Sequence, residues 1–312
     1  MLSKTAERLY WLARYLERTE NTARLINATM NLIYDLPYGI EVGWHNLLNI
    51  CGVEEAFYHR FKNPSEQNVI RFLLADSVNT SSLLSSLSFA RENIRTSRDS
   101  MPDEAWEQVN EMYLYAINNL ENLSNRRGRA IFLQQIMQGC QRFTGFLAGA
   151  MSRNDSYRFI CLGRNIERAD MTTRIMDFGT VLLAENRSQT MREYESMLWI
   201  NVLKSLSALL MYRKQVRRRI TGQDVLDFLL KNADFSAAVH HCLHEIESCI
   251  KKLPHSSCLI TQIDMLEENV LAVNIAQHTP LQLRHIFDKL QSDFNALHQR
   301  IAQTWFFNHL TA

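Results

Sequence analysis

A glutamate set among arginines occurs twice in this chain. Residues 8–24 and 158–174 are two related copies of one segment, 150 positions apart. Seven matching positions are identical, and five of the seven are charged, which packing alone does not explain. The pairs are Arg8/Arg158, Leu12/Leu162, Arg14/Arg164, Glu17/Glu167, Arg18/Arg168, Thr22/Thr172 and Arg24/Arg174. Guanidinium groups can bind a carboxylate or a phosphate in bidentate fashion, and a glutamate in such a setting can act as an acid or a base.

Helical geometry gathers these charges on one side of each segment. At about 100° per residue, Arg14, Glu17 and Arg24 fall within an arc of about 80°, and the second segment repeats the arrangement. Neighbouring guanidiniums lower the pKa of a carboxyl group, so the glutamates suit holding an arginine better than abstracting a proton. The candidate residues for binding a substrate or a partner are Arg14, Glu17, Arg18, Arg24, Arg164, Glu167, Arg168 and Arg174.

Two interpretations of the repeated charges stay open. In the structural one, the glutamates and arginines form salt bridges within or between helices and join two related halves of the molecule. In the functional one, they bind a ligand, or Glu17 or Glu167 acts as a catalytic base once its arginine is displaced. Identity between the segments favours neither, because common ancestry alone preserves some of it.

Two further pairs of segments follow in the same order. They are 44–48 with 199–203 and 69–74 with 225–230, at offsets of 155 and 156 residues. Anchors in constant order at nearly constant spacing indicate a tandem duplication. We therefore expect two helical repeats, residues 1–150 and 151–312, integrated into one compact body. Two separable domains are the alternative, although no linker rich in Gly, Pro or Ser divides the chain.

The composition indicates an all-α fold. Ten Gly and five Pro in 312 residues leave few of the turns that a many-stranded protein needs. Apolar residues recur at helical spacing over 106–123, 239–253 and 283–305, which predicts one buried face on each helix. Thr279 and Pro280 have the form of a helix start, with an N-cap hydroxyl followed by proline. No period-two run bounded by turns occurs, so we expect almost no strand.

Charge and cysteine usage limit the compartment and the partners. A formal net charge of +1 gives no general attraction to nucleic acid or to an anionic bilayer. Six cysteines include no C-x-x-C pair, which indicates reduced thiols in the cytoplasm. The N-terminal residues lack an apolar signal core, and no uncharged apolar stretch of about 18 residues occurs. We therefore expect a cytoplasmic protein with no membrane partner.

The remaining candidate sites are weaker. His240, His241 and His244 include an i, i+4 pair, but a third zinc ligand at recognised spacing is missing, so we expect no metal. The basic runs 213–219 and 126–129 have the composition of a patch that contacts phosphate. Such runs are more often solvated helix faces, and nucleic acid is not an expected partner. Phosphate-binding glycine loops and a G-x-S-x-G elbow do not occur, and we expect no cofactor.

The paired segments share the pattern Leu-x-Arg-x-x-Glu-Arg-x-(Glu/Asp)-x-x-x-Arg, at 12–24 and at 162–174. In this they resemble the bacterial alpha-E domain, an all-helical family named for its glutamate-arginine motif. Stretches such as Ala90-Arg-Glu-Asn-Ile-Arg95 and Tyr212-Arg213 extend the resemblance over nearly the whole chain. Members of that family typically occur beside, or fused to, circularly permuted ATP-grasp ligases and transglutaminase-like proteins.

The resemblance implies work in peptide-bond formation or protein modification. We expect the helical component of an ATP-grasp-linked amide-ligation or peptide-modification system, whose Glu/Arg-rich helices bind a partner ligase or a carboxylate-bearing peptide. The expected partners are a circularly permuted ATP-grasp ligase and a transglutaminase-like protein, and the expected substrate is a peptide or a protein. The alternative is an autonomous enzyme of peptide modification that uses Glu17 or Glu167 as acid or base.

Overall fold

The chain is built from helices. The structure, a computed structural model, describes residues 3–36, 43–185 and 189–307, without the side chains of 182–193. Within these ranges there are fourteen α-helices and no strand, so the all-α prediction is confirmed. None of the helices there is both long and apolar enough to cross a bilayer. The helices are α1 (Ser3–Asp35), α2 (His45–Cys51), α3 (Glu54–Tyr58), α4 (Glu66–Leu74), α5 (Leu83–Arg95), α6 (Asp103–Asn118), α7 (Arg126–Ala150), α8 (Asp155–Glu185), α9 (Gln189–Ser205), α10 (Leu209–Gln215), α11 (Gly222–Lys231), α12 (Val239–Ile250), α13 (Ser257–Ala272) and α14 (Pro280–Trp305).

The first seven helices and the last seven follow a similar order of lengths. α1 and α8 are the longest, at 33 and 31 residues. α4 to α7 have 9, 13, 16 and 25 residues, and α11 to α14 have 10, 12, 16 and 26. A tandem duplication would produce this parallel, and the division into repeats at 1–150 and 151–312 stays a prediction.

Two helices, α1 and α8, pack along each other at the centre of the molecule. α5 and α7 flank α1, while α12 and α14 flank α8. The halves also exchange contacts, because α9 packs on α1 and α2 packs on α8. The main hydrophobic cluster takes buried residues from both halves. The described part of the chain therefore forms one compact body around the helices that carry the repeated segments.

A glycine lets the two central helices approach closely. At Gly163 of α8, an added Cβ would lie 2.1 Å from the carbonyl oxygen of Tyr10 in α1. Ala13, at the matching position of α1, is buried as well. Because small residues meet at this crossing, the glutamate one turn further along each helix lies within reach of the opposite helix.

Helix ends agree with local chemistry, with one departure from the apolar pattern. Thr279 and Gln282 form a capping box at the start of α14, as the N-cap signal predicts. The apolar stripe over 106–123 spans two elements, because α6 ends at Asn118 and a 3₁₀ turn follows at Leu120–Ser124. Asn119 ends the α-helix by donating its side-chain amide to the Tyr115 carbonyl, at 2.8 Å.

Candidate functional site

The two Glu-Arg dipeptides exchange partners across α1 and α8. Arg168 donates from Nε and Nη2 to the two carboxylate oxygens of Glu17, at 2.7 and 2.8 Å. Arg18 donates in the same way to Glu167, at 2.6 and 3.1 Å. Each glutamate side chain is only 4% exposed. These are two buried, bidentate ion pairs that tie one half of the molecule to the other.

Glu167 has a second arginine. Arg14 donates from Nε to Glu167 Oε2 at 2.7 Å, and its guanidinium lies 4.9 Å from the centroid of the Trp11 ring. Burial would raise the pKa of Glu167, but the charges of Arg18 and Arg14 and their hydrogen bonds outweigh it and lower the pKa to about 2. Glu167 is therefore ionised at neutral pH and is a weak base.

Arg164 matches Arg14 in sequence but takes another partner. Its Nη2 lies 3.8 Å from the sulfur of Cys161, and its buried Nε has no hydrogen-bond partner among the described residues. A hydrogen bond with the Cys249 thiol, together with the charge of Arg164 and the hydroxyl of Tyr157, lowers the pKa of Cys161 against the effect of burial. Arg164 thus contacts the sulfur of Cys161 and does not pair with Glu17, which Arg168 binds.

The last arginine of each repeated segment, Arg24 or Arg174, pairs with an acid on its own helix. Arg24 binds Glu20, one turn before it. Arg174 Nε lies 2.9 Å from Asp170 Oδ2, again one turn away. Helical spacing places Arg24 on the same face as Glu17. Because Arg168 of α8 already binds both carboxylate oxygens of Glu17, Arg24 pairs with Glu20 instead.

A polar cavity of about 530 Å³ lies between α1, α8 and α14, and we call it the open cavity. Arg14, Asp170 and Arg174 line it from the two central helices, and Asp288 and His298 line it from α14. The other polar lining residues are Gln291, Ser292 and Asn295. Pockets for small ligands typically measure about 300 to 1,000 Å³. The structure thus brings two of the sequence-predicted arginines to one ligand-sized space.

The matching space in the first half, which we call the closed cavity, is nearly filled. It lies between α1, α7 and α8, is lined by Arg164, Glu17 and Glu20 among others, and has about 20 Å³. Gln141 of α7 donates from Nε2 to Glu20 Oε1 at 3.1 Å. Phe143 and other apolar side chains of α7 complete the lining. This face of the repeated segments leaves room for about one water molecule.

His298 belongs to the open cavity, although no sequence motif marks it. A hydrogen bond of 2.9 Å joins its Nδ1 to the Tyr10 hydroxyl, and the two rings stack with their planes 8° apart. Burial first, and then the charge of Arg14, lowers the pKa of His298 to about 4. The imidazole is therefore neutral at pH 7 and adds a hydrogen-bonding group to the cavity. Its sequence signal is slight, a histidine next to Leu297 in the apolar stripe of α14.

The histidines that spacing singles out make structural contacts. His240 places Nδ1 at 3.1 Å from the Lys231 carbonyl and Nε2 at 2.7 Å from Glu267 Oε1. His241 Nδ1 lies 2.6 Å from the Ala233 carbonyl. Over 3–36, 43–185 and 189–307, no group of three His, Cys, Asp or Glu side chains could hold a metal ion.

The fold and the site together define an all-helical protein whose central helices are joined by exchanged Glu-Arg pairs. A family model, Alpha-E, matches residues 1–306 and is described as a predicted alpha-helical domain with a conserved ER motif. The chain belongs to this family. Glu17-Arg18 and Glu167-Arg168 are the Glu-Arg pairs of the kind that this description names. Comparison with curated proteins gave no match, and comparison with solved structures gave none.

Proposed function

We propose that this protein is the helical, substrate-holding component of an ATP-grasp-linked amide-ligation or peptide-modification system. In this proposal the open cavity holds the carboxylate of a peptide, and a circularly permuted ATP-grasp ligase activates and joins it. The observation that carries the proposal is the presence of Arg14 and Arg174 in the lining of one polar cavity. The complex would work in the cytoplasm, where ATP is available.

The two arginines are held ready for an anionic ligand. Arg14 binds Glu167 through Nε, and Arg174 binds Asp170 through Nε. A guanidinium carries five N–H donors. The acid uses only the Nε donor of each arginine, and although Arg14 also bonds Tyr10 and Arg174 Nη1 packs against Gly52, other Nη donors remain for a ligand. Because the acids already fix the arginine side chains, little conformational entropy is lost when a carboxylate binds. Glu167 and Asp170 act here as positioning residues.

Partner chemistry follows from the family. The sequence contains no phosphate-binding glycine loop of a known type, and relatives of the family occur beside ATP-grasp ligases. Activation of the carboxylate by ATP is therefore assigned to the partner. A transglutaminase-like protein is the second expected partner, as a source or consumer of the same peptide.

The alternative, an autonomous enzyme with Glu17 or Glu167 as acid or base, has less support. The pKa of Glu167 is about 2, so this carboxylate accepts a proton poorly at neutral pH. Both oxygens of Glu17 accept hydrogen bonds from Arg168. A substrate would have to break a buried ion pair to use either one, which costs about 3–5 kcal/mol.

The proposal is tested by isolating the tagged wild-type protein from its native host, with the Arg174→Gln and Arg24→Gln variants beside it. Arg24 is the matched control, because it holds the same place in α1 but lies outside the lining of the open cavity. We expect wild type to capture an ATP-grasp ligase, and the complex to consume a peptide when ATP is added. Arg174→Gln should capture the ligase and lose this turnover, and Arg24→Gln should keep both.

Two outcomes would contradict the proposal. If the wild-type protein captures no ATP-grasp ligase, the partnership is wrong. If the purified protein turns over a peptide without any ligase, the autonomous enzyme replaces it.

A further inference from the structure

The lining of the open cavity carries charges of both signs. Arg14 and Arg174 are contributed by α1 and α8, whereas Asp288 is contributed by α14. Asp170 is already paired with Arg174. Asp288 is exposed at the cavity, and among the described residues its carboxylate has no ion pair or side-chain hydrogen bond. The cavity therefore offers an unpaired carboxylate as well as guanidinium donors.

A second carboxylate lies close enough to feel the charge of Asp288, although it is not part of the cavity lining. Asp177 lies one turn beyond Arg174 on α8, and its Oδ1 is buried without a hydrogen-bond partner in the part of the chain that the structure describes. The nearest cation is Arg284, whose Nε is 4.0 Å away and whose side chain is 53% exposed. Burial, followed by the charge of Asp288, raises the pKa of Asp177 to about 6. A cation placed between Asp177 and Asp288 would relieve both the buried oxygen and the repulsion.

We propose that the open cavity recognises an unblocked amino acid or short peptide, with its carboxylate on Arg14 and Arg174 and its ammonium group beside Asp288. This inference rests on the proposed function and adds the substrate class. The volume of about 530 Å³ is suited to a ligand of this size. His298, neutral and anchored to Tyr10, supplies a hydrogen bond to the polar backbone of the ligand.

The charge pattern also excludes competing ligands. A dicarboxylate that bound the arginines would place its second negative charge against Asp288. A simple diamine that bound Asp288 would place its second ammonium group against the guanidinium groups. Like charges brought together in a cavity oppose binding, so the site discriminates by repulsion as well as by attraction.

The test is calorimetric titration of the whole chain with alanyl-alanine, its N-acetyl form and its C-terminal amide. We expect the free dipeptide to bind, and each blocked form to bind at least about tenfold more weakly, since each loses a charge-assisted hydrogen bond. Asp288→Asn should remove the discrimination between the free and the N-acetyl dipeptide. Asp293→Asn, on the same helix but outside the cavity lining, should keep it.

The outcomes separate this inference from the proposed function. Equal binding of the free and N-acetyl dipeptides would overturn ammonium recognition and leave carboxylate binding intact. Equal binding of the free dipeptide and its amide would overturn carboxylate binding at the arginines. Absence of binding by all three compounds to the folded wild-type protein would overturn both.

Discussion

The open cavity and the closed cavity occupy matching places in the two halves, but they differ in volume, at about 530 and about 20 Å³. In the closed cavity, Glu20 and Gln141 meet in a hydrogen bond of 3.1 Å. Asp170 follows Glu20 by the 150 positions that separate the repeated segments, and Asn295 is the sixteenth residue of α14 as Gln141 is of α7. Each is shorter by one methylene. Both line the open cavity instead. Repeated charges therefore supply a similar ion-pair framework twice, while the volume of about 530 Å³ beside α14 and about 20 Å³ beside α7 leaves only the open cavity with space for a ligand.

The repeated arginines show the same division of roles. Arg14 is bound to Glu167 and lines the open cavity. Arg164 lies beside Cys161 with its Nε unpartnered among the described residues. Glu167 consequently has two arginines and Glu17 has one. Identical residues at matching positions thus have unequal energetic roles, and the following predictions test that inequality.

The largest expected effect is the loss of the central carboxylate. Glu167→Gln leaves Arg14 and Arg18 without their buried partner and should lower the free energy of unfolding by about 3–5 kcal/mol. Glu17→Gln unpairs Arg168 alone and should cost less. Urea denaturation of both variants measures the difference. Unchanged stability in both would contradict the view that these pairs hold α1 against α8.

The stabilisation that Glu167 provides should depend on pH. The pKa of Glu167 falls from 4.5, the value for a free side chain, to about 2 in the folded protein. The stabilisation is therefore fully present above about pH 5 and is lost as the pH falls towards 2, a change of about 3 kcal/mol at about 1.4 kcal/mol per pKa unit. Urea titrations between about pH 5 and pH 2 should show that the difference in the free energy of unfolding between wild type and Glu167→Gln becomes smaller as the pH falls. A difference that stays constant would mean that Glu167 is not the titrating group.

Replacing the matched arginines should produce unequal losses. Arg14→Met removes a charge-assisted hydrogen bond to Glu167 and should cost about 1.5–3 kcal/mol. Arg164→Met removes a buried Nε that has no partner and a long contact from Nη2 to the Cys161 sulfur, and we expect a change within about 0.5 kcal/mol. Chemical denaturation compares the two. Equal losses would show that Arg164 has a structural role like that of Arg14.

Exchanging side-chain lengths should convert one cavity towards the other. Glu20→Asp with Gln141→Asn removes two methylenes and a hydrogen bond from the closed cavity and should cost about 1–2 kcal/mol. Asp170→Glu with Asn295→Gln should narrow the open cavity beside Arg174, with little loss of stability, and weaken dipeptide binding. Denaturation and titration of the two double variants measure these effects. Unchanged dipeptide binding in the second would place the ligand elsewhere.

Some of this arrangement is predictable from the sequence, and some is not. Sparse glycine and proline and the 3.6-residue period predict the helices, and the repeated charges point to the residues that join the halves. Angular position alone grouped Glu17 with Arg24, whereas its partner comes from α8, because Gly163 permits the helices to approach. Asp288 and His298 belong to the site only because α14 packs against α8. Their spacing in the sequence therefore does not predict them as site residues. The difference in volume between the cavities depends on how α7 and α14 pack against the central helices, which a periodicity argument does not resolve.

The central claim is that the open cavity, and not its counterpart, binds a carboxylate. The most direct measurement is calorimetric titration of alanyl-alanine into wild type, Arg174→Gln and Arg24→Gln, each shown to be folded by circular dichroism. We predict that Arg174→Gln weakens binding at least about tenfold, because a bidentate partner is lost, and that Arg24→Gln changes it less than about twofold. Equal weakening by both substitutions, or binding that neither affects, would contradict the account.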